Sequence, residues 1–251
     1  MEPTLPDLLF LAVLVLAVPV YSFVSFPKTR RAIESGVPGA KLTEYRHTLV
    51  FEWALFAAVL VLGITAGRGL DGLGLQSIRF EGIAPVAGLA LTLLAILGLW
   101  VQWRALDRSG LASFEGSEEY IDSVSALLPT NRHELRWFDA LAVTAGICEE
   151  VVYRGFLFAV VTHLTNPWIG GAASVLVFGA THLYQGQSGA LRAGALGLVF
   201  LLPVVLTGSL WPSIVLHALV DLFAGRAGLR YTTLVRQSPQ DETLGDAVQP
   251  T

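Results

Sequence analysis

Glu149-Glu150-Val151-Val152-Tyr153-Arg154 stands inside a stretch that otherwise reads as lipid-spanning helix. Each of its three charges costs at least ~2.5–3.5 kcal/mol at the centre of a bilayer. Such charges must be paired with one another, screened from lipid by other helices, or both. A packing ion pair and a functional cluster both satisfy that demand, so the hexapeptide has to be read with its surroundings.

Those surroundings are apolar. Of 251 residues, 53% are hydrophobic and only 14% are charged, whereas soluble domains carry ~25% charge. The charges are also segregated: residues 10–21 and 82–103 contain none. The composition predicts an all-α, polytopic transmembrane helix bundle. A net charge of −4, with no basic cluster interleaved with aromatics, gives no footprint for nucleic acid. Cys148 is the only cysteine, which excludes an intrachain disulfide and a cysteine-based metal knuckle. Beside Glu149 it reads as a small buried hydrophobe rather than a nucleophile.

A helix needs ~20 apolar residues to cross the hydrocarbon core. Candidate spans are residues 5–26, 49–66, 83–103, 138–162, 168–184, 190–207 and 210–224, with an eighth if 117–128 dips into the membrane. The first lacks a basic n-region and a convincing cleavage site, so it is expected to be a retained span. The last is short and punctuated by polar residues, which suits a helix shielded by others. Lys28, Arg30, Arg31, Lys41 and Arg46 follow the first span; Arg104, Arg108, Arg132 and Arg136 follow the third; Arg226, Arg230 and Arg236 follow the last. The intervening loops hold Arg68 and Arg79 alone, which places the N-terminus outside and the C-terminus in the cytoplasm of a multi-pass cell-membrane protein. Residues 1–236 are expected to form one membrane domain and 237–251 a flexible polar tail. Residues 113–136, with Glu115, Glu118, Glu119 and Asp122 before apolar residues, read as an interfacial helix.

Spacing decides which polar groups can meet. Glu150 and Arg154 are i, i+4 neighbours and can pair; Glu149 is rotated by ~100° from Glu150 and faces elsewhere. Two further spans carry Phe178-Gly-Ala-Thr-His182 and His217-Ala-Leu-Val-Asp221. Three spans thus deliver ionisable groups at intramembrane depth, with glycines (Gly170, Gly171, Gly179, Gly194, Gly197) that permit close helix approach. Each element alone is a common structural device. Their joint appearance, with little other intramembrane charge, points to a wet functional cavity. Glu52 is the main exception, and its place near the start of span two suggests a side chain snorkelling to the cytoplasmic face.

In order, Glu-Glu-x-x-x-Arg, Phe-x-x-x-His and His-x-x-x-Asp on successive late spans resemble the CAAX-protease and bacteriocin-processing family of intramembrane endopeptidases. The resemblance covers about residues 139–225, most closely Glu149-Glu150-Val-Val-Tyr-Arg154-Gly155 and Trp211-Pro-Ser-Ile-Val-Leu-His217. It implies hydrolysis of a peptide bond in a membrane-associated substrate, prenylated or leader-bearing. Carried over, Glu149 is the general base acting with His182 on water, and His217 with position 221 stabilises the oxyanion. Glu150 and Arg154 hold the helix in place. The family's prenyl-protein endopeptidases have Asn where this chain has Asp221. An ionised Asp cannot donate to an oxyanion, but it could accept from His217 or ligate a metal. The resemblance implies chemistry without a cofactor, with zinc on Glu149, His182 and His217 as the alternative. A proton- or ion-coupled transporter and a non-catalytic scaffold or immunity protein are the competing functions.

Overall fold

Asparagine and proline set several of the helix starts. Asn131 accepts the backbone N–H groups of His133 and Glu134 through Oδ1 at 3.0 and 2.9 Å, and Asn166 does the same for Trp168 and Ile169 just ahead of Pro167. Gly208, at φ +66°, stops the sixth helix in a left-handed cap. The computed structural model describes residues 2–110, 112, 121 and 123–237. Among them the fold is all-helical with no strand, and seven helices alternate in direction.

They are α1 (Leu5–Glu34), α2 (Ala40–Thr65), α3 (Ala84–Ser109), α4 (residues 132–164), α5 (Pro167–Thr181), α6 (Gly186–Thr207) and α7 (Trp211–Gln237). Contacts between loops fix which ends lie together. Arg68, after α2, is paired with Asp7 at the start of α1, and the Leu210 N–H donates to the Gly74 carbonyl at 2.8 Å. At the opposite end Lys41 donates to the Leu128 carbonyl at 2.8 Å. The basic residues after α1 and α3 and near the end of α7 therefore share one end of the bundle.

Five helices, α1, α2, α3, α6 (counted from Leu183) and α7, are long and apolar enough to cross a membrane. Helix α5 is shorter, at 15 residues, and α4 is broken by its charges. Large apolar side chains face outward along the peripheral helices, among them Val61, Ile64, Leu93 and Leu94. Such exposure is what lipid contact requires and water would penalise.

Two helices widen into π turns. In α1 the π segment Val13–Ala17 directly precedes Val18-Pro19. The wider turn accommodates a proline that lacks an N–H and would clash with an ordinary preceding turn. In α4 the segment Glu150–Leu157 is π-helical, and all eight of its side chains are buried. Helix α4 is the hub, packed by α7, α2 and α5. Gly146 makes a close crossing: a Cβ there would lie 2.8 Å from both the Cβ and the N of Ala218 on α7.

Some sequence-based boundaries need correction. The last helix is not short; it starts at Trp211 and runs 27 residues, because its glycine- and arginine-rich second half packs on α3 and α4. His182 does not lie within its helix but caps α5 after Thr181. Of the expected interfacial helix over 113–136, residues 113–120 and 122 lie outside the described residues, as does the tail from 238. The described remainder is a short 3-10 turn at Ser125–Leu127 followed by the start of α4 at Arg132. Cys148 is a buried free thiol.

Candidate active site

A cavity of about 380 Å³ runs from the α1–α2 and 124–128 end of the bundle toward its middle. Thr29, Glu44 and His47 stand at its outer part; Phe178, Phe200 and Leu55 line its inner part. Glu149, His182, His217 and Asp221 all line this one cavity. Four residues from α4, the end of α5 and α7 are thus brought together.

Glu150 sits behind them, fully buried, and is the most heavily bonded side chain of the group. Its Oε1 accepts from Arg154 Nη1 at 3.0 Å and from His217 Nδ1 at 2.8 Å. Its Oε2 accepts from the Ser213 hydroxyl at 2.7 Å. That hydroxyl also stands 2.8 Å from the Phe200 carbonyl, a second acceptor for the same hydrogen. Arg154, also buried, donates through Nη2 to the Gly197 carbonyl at 3.1 Å and lies 4.2 Å from the centre of the Phe178 ring. A buried carboxylate is tolerated only when charge-paired and hydrogen-bonded on its remaining lone pairs, and Glu150 meets both conditions. Gly197 has no side chain to fill the space the guanidinium occupies, since a Cβ would lie 3.1 Å from Nη2.

These bonds fix the two imidazoles. A carboxylate only accepts, so the 2.8 Å contact with Glu150 assigns a hydrogen to His217 Nδ1 and turns Nε2 toward the cavity. The Phe200 ring stacks on this imidazole with centroids 4.4 Å apart and planes at 17°. His182 Nδ1 donates to the Phe178 carbonyl at 2.8 Å, the residue four earlier in its helix. A carbonyl cannot donate, so His182 Nε2 keeps its lone pair. Phe178 accordingly serves three ways: its carbonyl orients His182, and its ring covers Arg154 and meets His217 edge-on.

The roles of the acids are redistributed by the geometry. Asp221 Oδ2 lies 3.6 Å from His217 Nε2 and Glu149 Oε2 lies 3.7 Å from it, both beyond hydrogen-bond distance. The carboxylate that orients His217 is therefore Glu150, not Asp221. Glu149 is partly open, with 19% of its side chain exposed, so it faces the cavity while Glu150 faces the protein. Ser213 escaped the sequence reading, although it stands four residues before His217 and hence on the same face of α7. Glu52 is also placed differently from expectation. It does not snorkel: it is 7% exposed, lies mid-helix in α2 and lines the same cavity.

Among the described residues no three His, Cys, Asp or Glu side chains converge as a bound metal would require. With His217 Nδ1 taken by Glu150 and His182 Nδ1 turned back to its own helix, only the Nε2 atoms face the cavity.

No curated protein and no solved structure matches the chain. A family model does: residues 131–223 match the one described as Type II CAAX prenyl endopeptidase Rce1-like. The matched stretch starts at the Asn131 cap of α4 and ends two residues past Asp221, so it takes in Glu149, Glu150, Arg154, His182, Ser213, His217 and Asp221 but not Glu52. Through these residues the chain is similar to the CAAX-type endopeptidases.

Proposed function

We propose that this protein is an intramembrane endopeptidase in which Glu149 and His182 activate a water against a peptide bond. The observation that carries the reading is the pairing of a partly open carboxylate with an imidazole whose Nε2 is free to accept, both on one cavity. Water held between them loses a proton to Glu149 while His182 Nε2 accepts its other hydrogen and aims the oxygen. The oxygen bonds to the scissile carbonyl carbon, and the carbonyl electron pair moves onto its oxygen. His217, oriented through Nδ1 by Glu150, donates from Nε2 to that oxyanion when the nitrogen carries a proton. The tetrahedral carbon then expels the amine nitrogen, which takes the proton back from Glu149. One water is consumed, one C–N bond breaks, and every proton is accounted for without a metal.

The substrate follows from the cavity's place. Its outer part lies at the bundle end that carries most of the basic residues, so with that end cytoplasmic the substrate is a membrane-associated peptide approaching from the cytoplasmic leaflet. The apolar walls suit a lipidated or otherwise hydrophobic segment. All seven helices cross the membrane in this reading, with the N-terminus outside and the C-terminus cytoplasmic.

The test is cleavage of a quenched prenylated-peptide reporter by purified wild type, Glu149→Ala and His182→Ala, with and without o-phenanthroline. Cleavage by wild type that is lost in both variants and indifferent to the chelator supports the reading. Equal activity in the variants overturns the residue assignment, and loss on chelation with recovery on added zinc overturns the metal-free step.

A further inference from the structure

Glu52 is an ionisable side chain in the cavity that the proposed reaction does not employ. It lies on the face of α2 that also carries Tyr45, Thr48 and Leu55 into the cavity wall, at helical i, i+3/i+4 spacing. Its Oε2 is buried and has no hydrogen-bond partner among the described residues. Glu150, by contrast, is at least as deep and has three partners. A buried carboxylate oxygen without a donor is destabilising unless a ligand supplies one.

The other charges of the inner cavity make the demand more specific. Glu149 and Asp221 line the same space, so Glu52 adds a third carboxylate to one small volume. Arg154, on α4, is committed to Glu150 and the Gly197 carbonyl and lies against Phe178. Arg192 also lines the cavity, but from an exposed position on α6. Phe51, Leu127, Phe138 and Leu141 supply apolar wall. An apolar passage ending at an unpartnered carboxylate fits a group with a methylene stem and a cationic, hydrogen-bond-donating tip.

We infer that Glu52 anchors a basic group of the substrate, a lysine or arginine side chain close to the scissile bond. This deepens the endopeptidase reading and rests on it. Anchoring on α2 would set the peptide's register against Glu149 and His182 on the facing wall, so Glu52 is a specificity-determining residue rather than a catalytic one.

The experiment compares N-acetylated quenched lipopeptides that are identical except for Lys, norleucine or Glu at the positions flanking the cleaved bond. Full-length wild type, Glu52→Gln and Glu52→Lys are assayed in the same detergent, and kcat/KM ratios are read. Wild type is expected to favour the Lys peptide over norleucine by about tenfold or more, the scale of a charge-assisted hydrogen bond. Glu52→Gln brings that ratio close to one, and Glu52→Lys inverts it toward the Glu peptide. A non-acetylated norleucine peptide separates the two sources of an ammonium: a Glu52-dependent gain there, and none for the Lys side chain, overturns the side-chain assignment. Equal ratios in wild type and Glu52→Gln overturn the anchor while leaving the endopeptidase intact. Uniform loss on every peptide in Glu52→Gln also overturns it, because the residue then acts on fold or chemistry. No cleavage of any peptide by wild type overturns both readings together.

Discussion

Helix α3 turns leucines such as Leu93 and Leu94 outward, 66% and 63% exposed, while residues 150–157 of α4 bury all eight side chains, charges included. In its most apolar window α3 is only 17% buried, against 44% for α7 with its histidine and aspartate. The more uniformly apolar helix is thus the peripheral one, and the helices that carry charge are the ones enclosed by protein. In water the order would be reversed, since burial is what removes apolar surface from solvent. In lipid the tails are as apolar as leucine, so hydrophobicity buys no place in the core. Polar groups take the core because lipid offers them no partner.

That contrast can be broken most severely at the cavity. Glu149→Ala and His182→Ala are expected to lower turnover by about 10²–10⁴-fold, the range of positioned acid–base groups, with unfolding temperature little changed. Leu93→Ala on the lipid face should leave turnover and stability nearly untouched, within about 0.5 kcal/mol. A loss of turnover from Leu93→Ala matching that from Glu149→Ala would erase the distinction between the two regions.

Arg154→Ala tests the enclosure itself. It strands Glu150 among apolar walls and is expected to cost about 3–5 kcal/mol, read as a large fall in unfolding temperature in detergent. A variant as stable as wild type would show that water reaches Glu150 and that α4 is not enclosed. Gly146→Val comes next. Its side chain would collide with the α7 backbone at Ala218, an overpacking cost of about 1–3 kcal/mol. Turnover should fall with stability, because this crossing sets Glu149 and Glu150 against His217. Gly98 has open space beside its Cβ position, so Gly98→Val on α3 is the contrasting control and should be tolerated.

The smallest effect belongs to the bundle end outside the apolar spans. Burial pushes the Glu134 carboxyl up, but the Thr130 backbone N–H and the Lys41 ammonium outweigh it and hold the group below its ordinary value. A carboxyl depressed in the folded state contributes stability above the ordinary Glu range and loses it as pH falls through the folded value. Glu134→Gln is therefore expected to be less stable than wild type near neutrality, and the two melting curves should converge as the pH drops below about 4.5. A gap that stays constant with pH would assign the loss to packing instead.

The helical and membrane character of the chain, and the ordered appearance of Glu149, Glu150, Arg154, His182, His217 and Asp221 on late helices, were legible from residues alone. Apolar run length has a direct meaning when a bilayer is the solvent, and i, i+4 spacing within one helix is a local fact. The Glu150–Arg154 pair at 3.0 Å is such a fact realised. Relations between helices were not legible in the same way. That Glu150 rather than Asp221 orients His217, that Ser213 completes Glu150, and that Phe178 aligns His182 through its backbone depend on which faces meet when α4, α5 and α7 pack. Gly146 at the crossing and the π turn at Glu150–Leu157 set that rotation, and no periodicity in the chain announces a local change of turn width. Glu52 makes the same point from far away in sequence. Its charge was visible at once, but only the packing of α2 on α4 decided that it faces the cavity instead of the membrane surface. Composition and spacing act along the chain, whereas the partner of a buried charge is chosen across it.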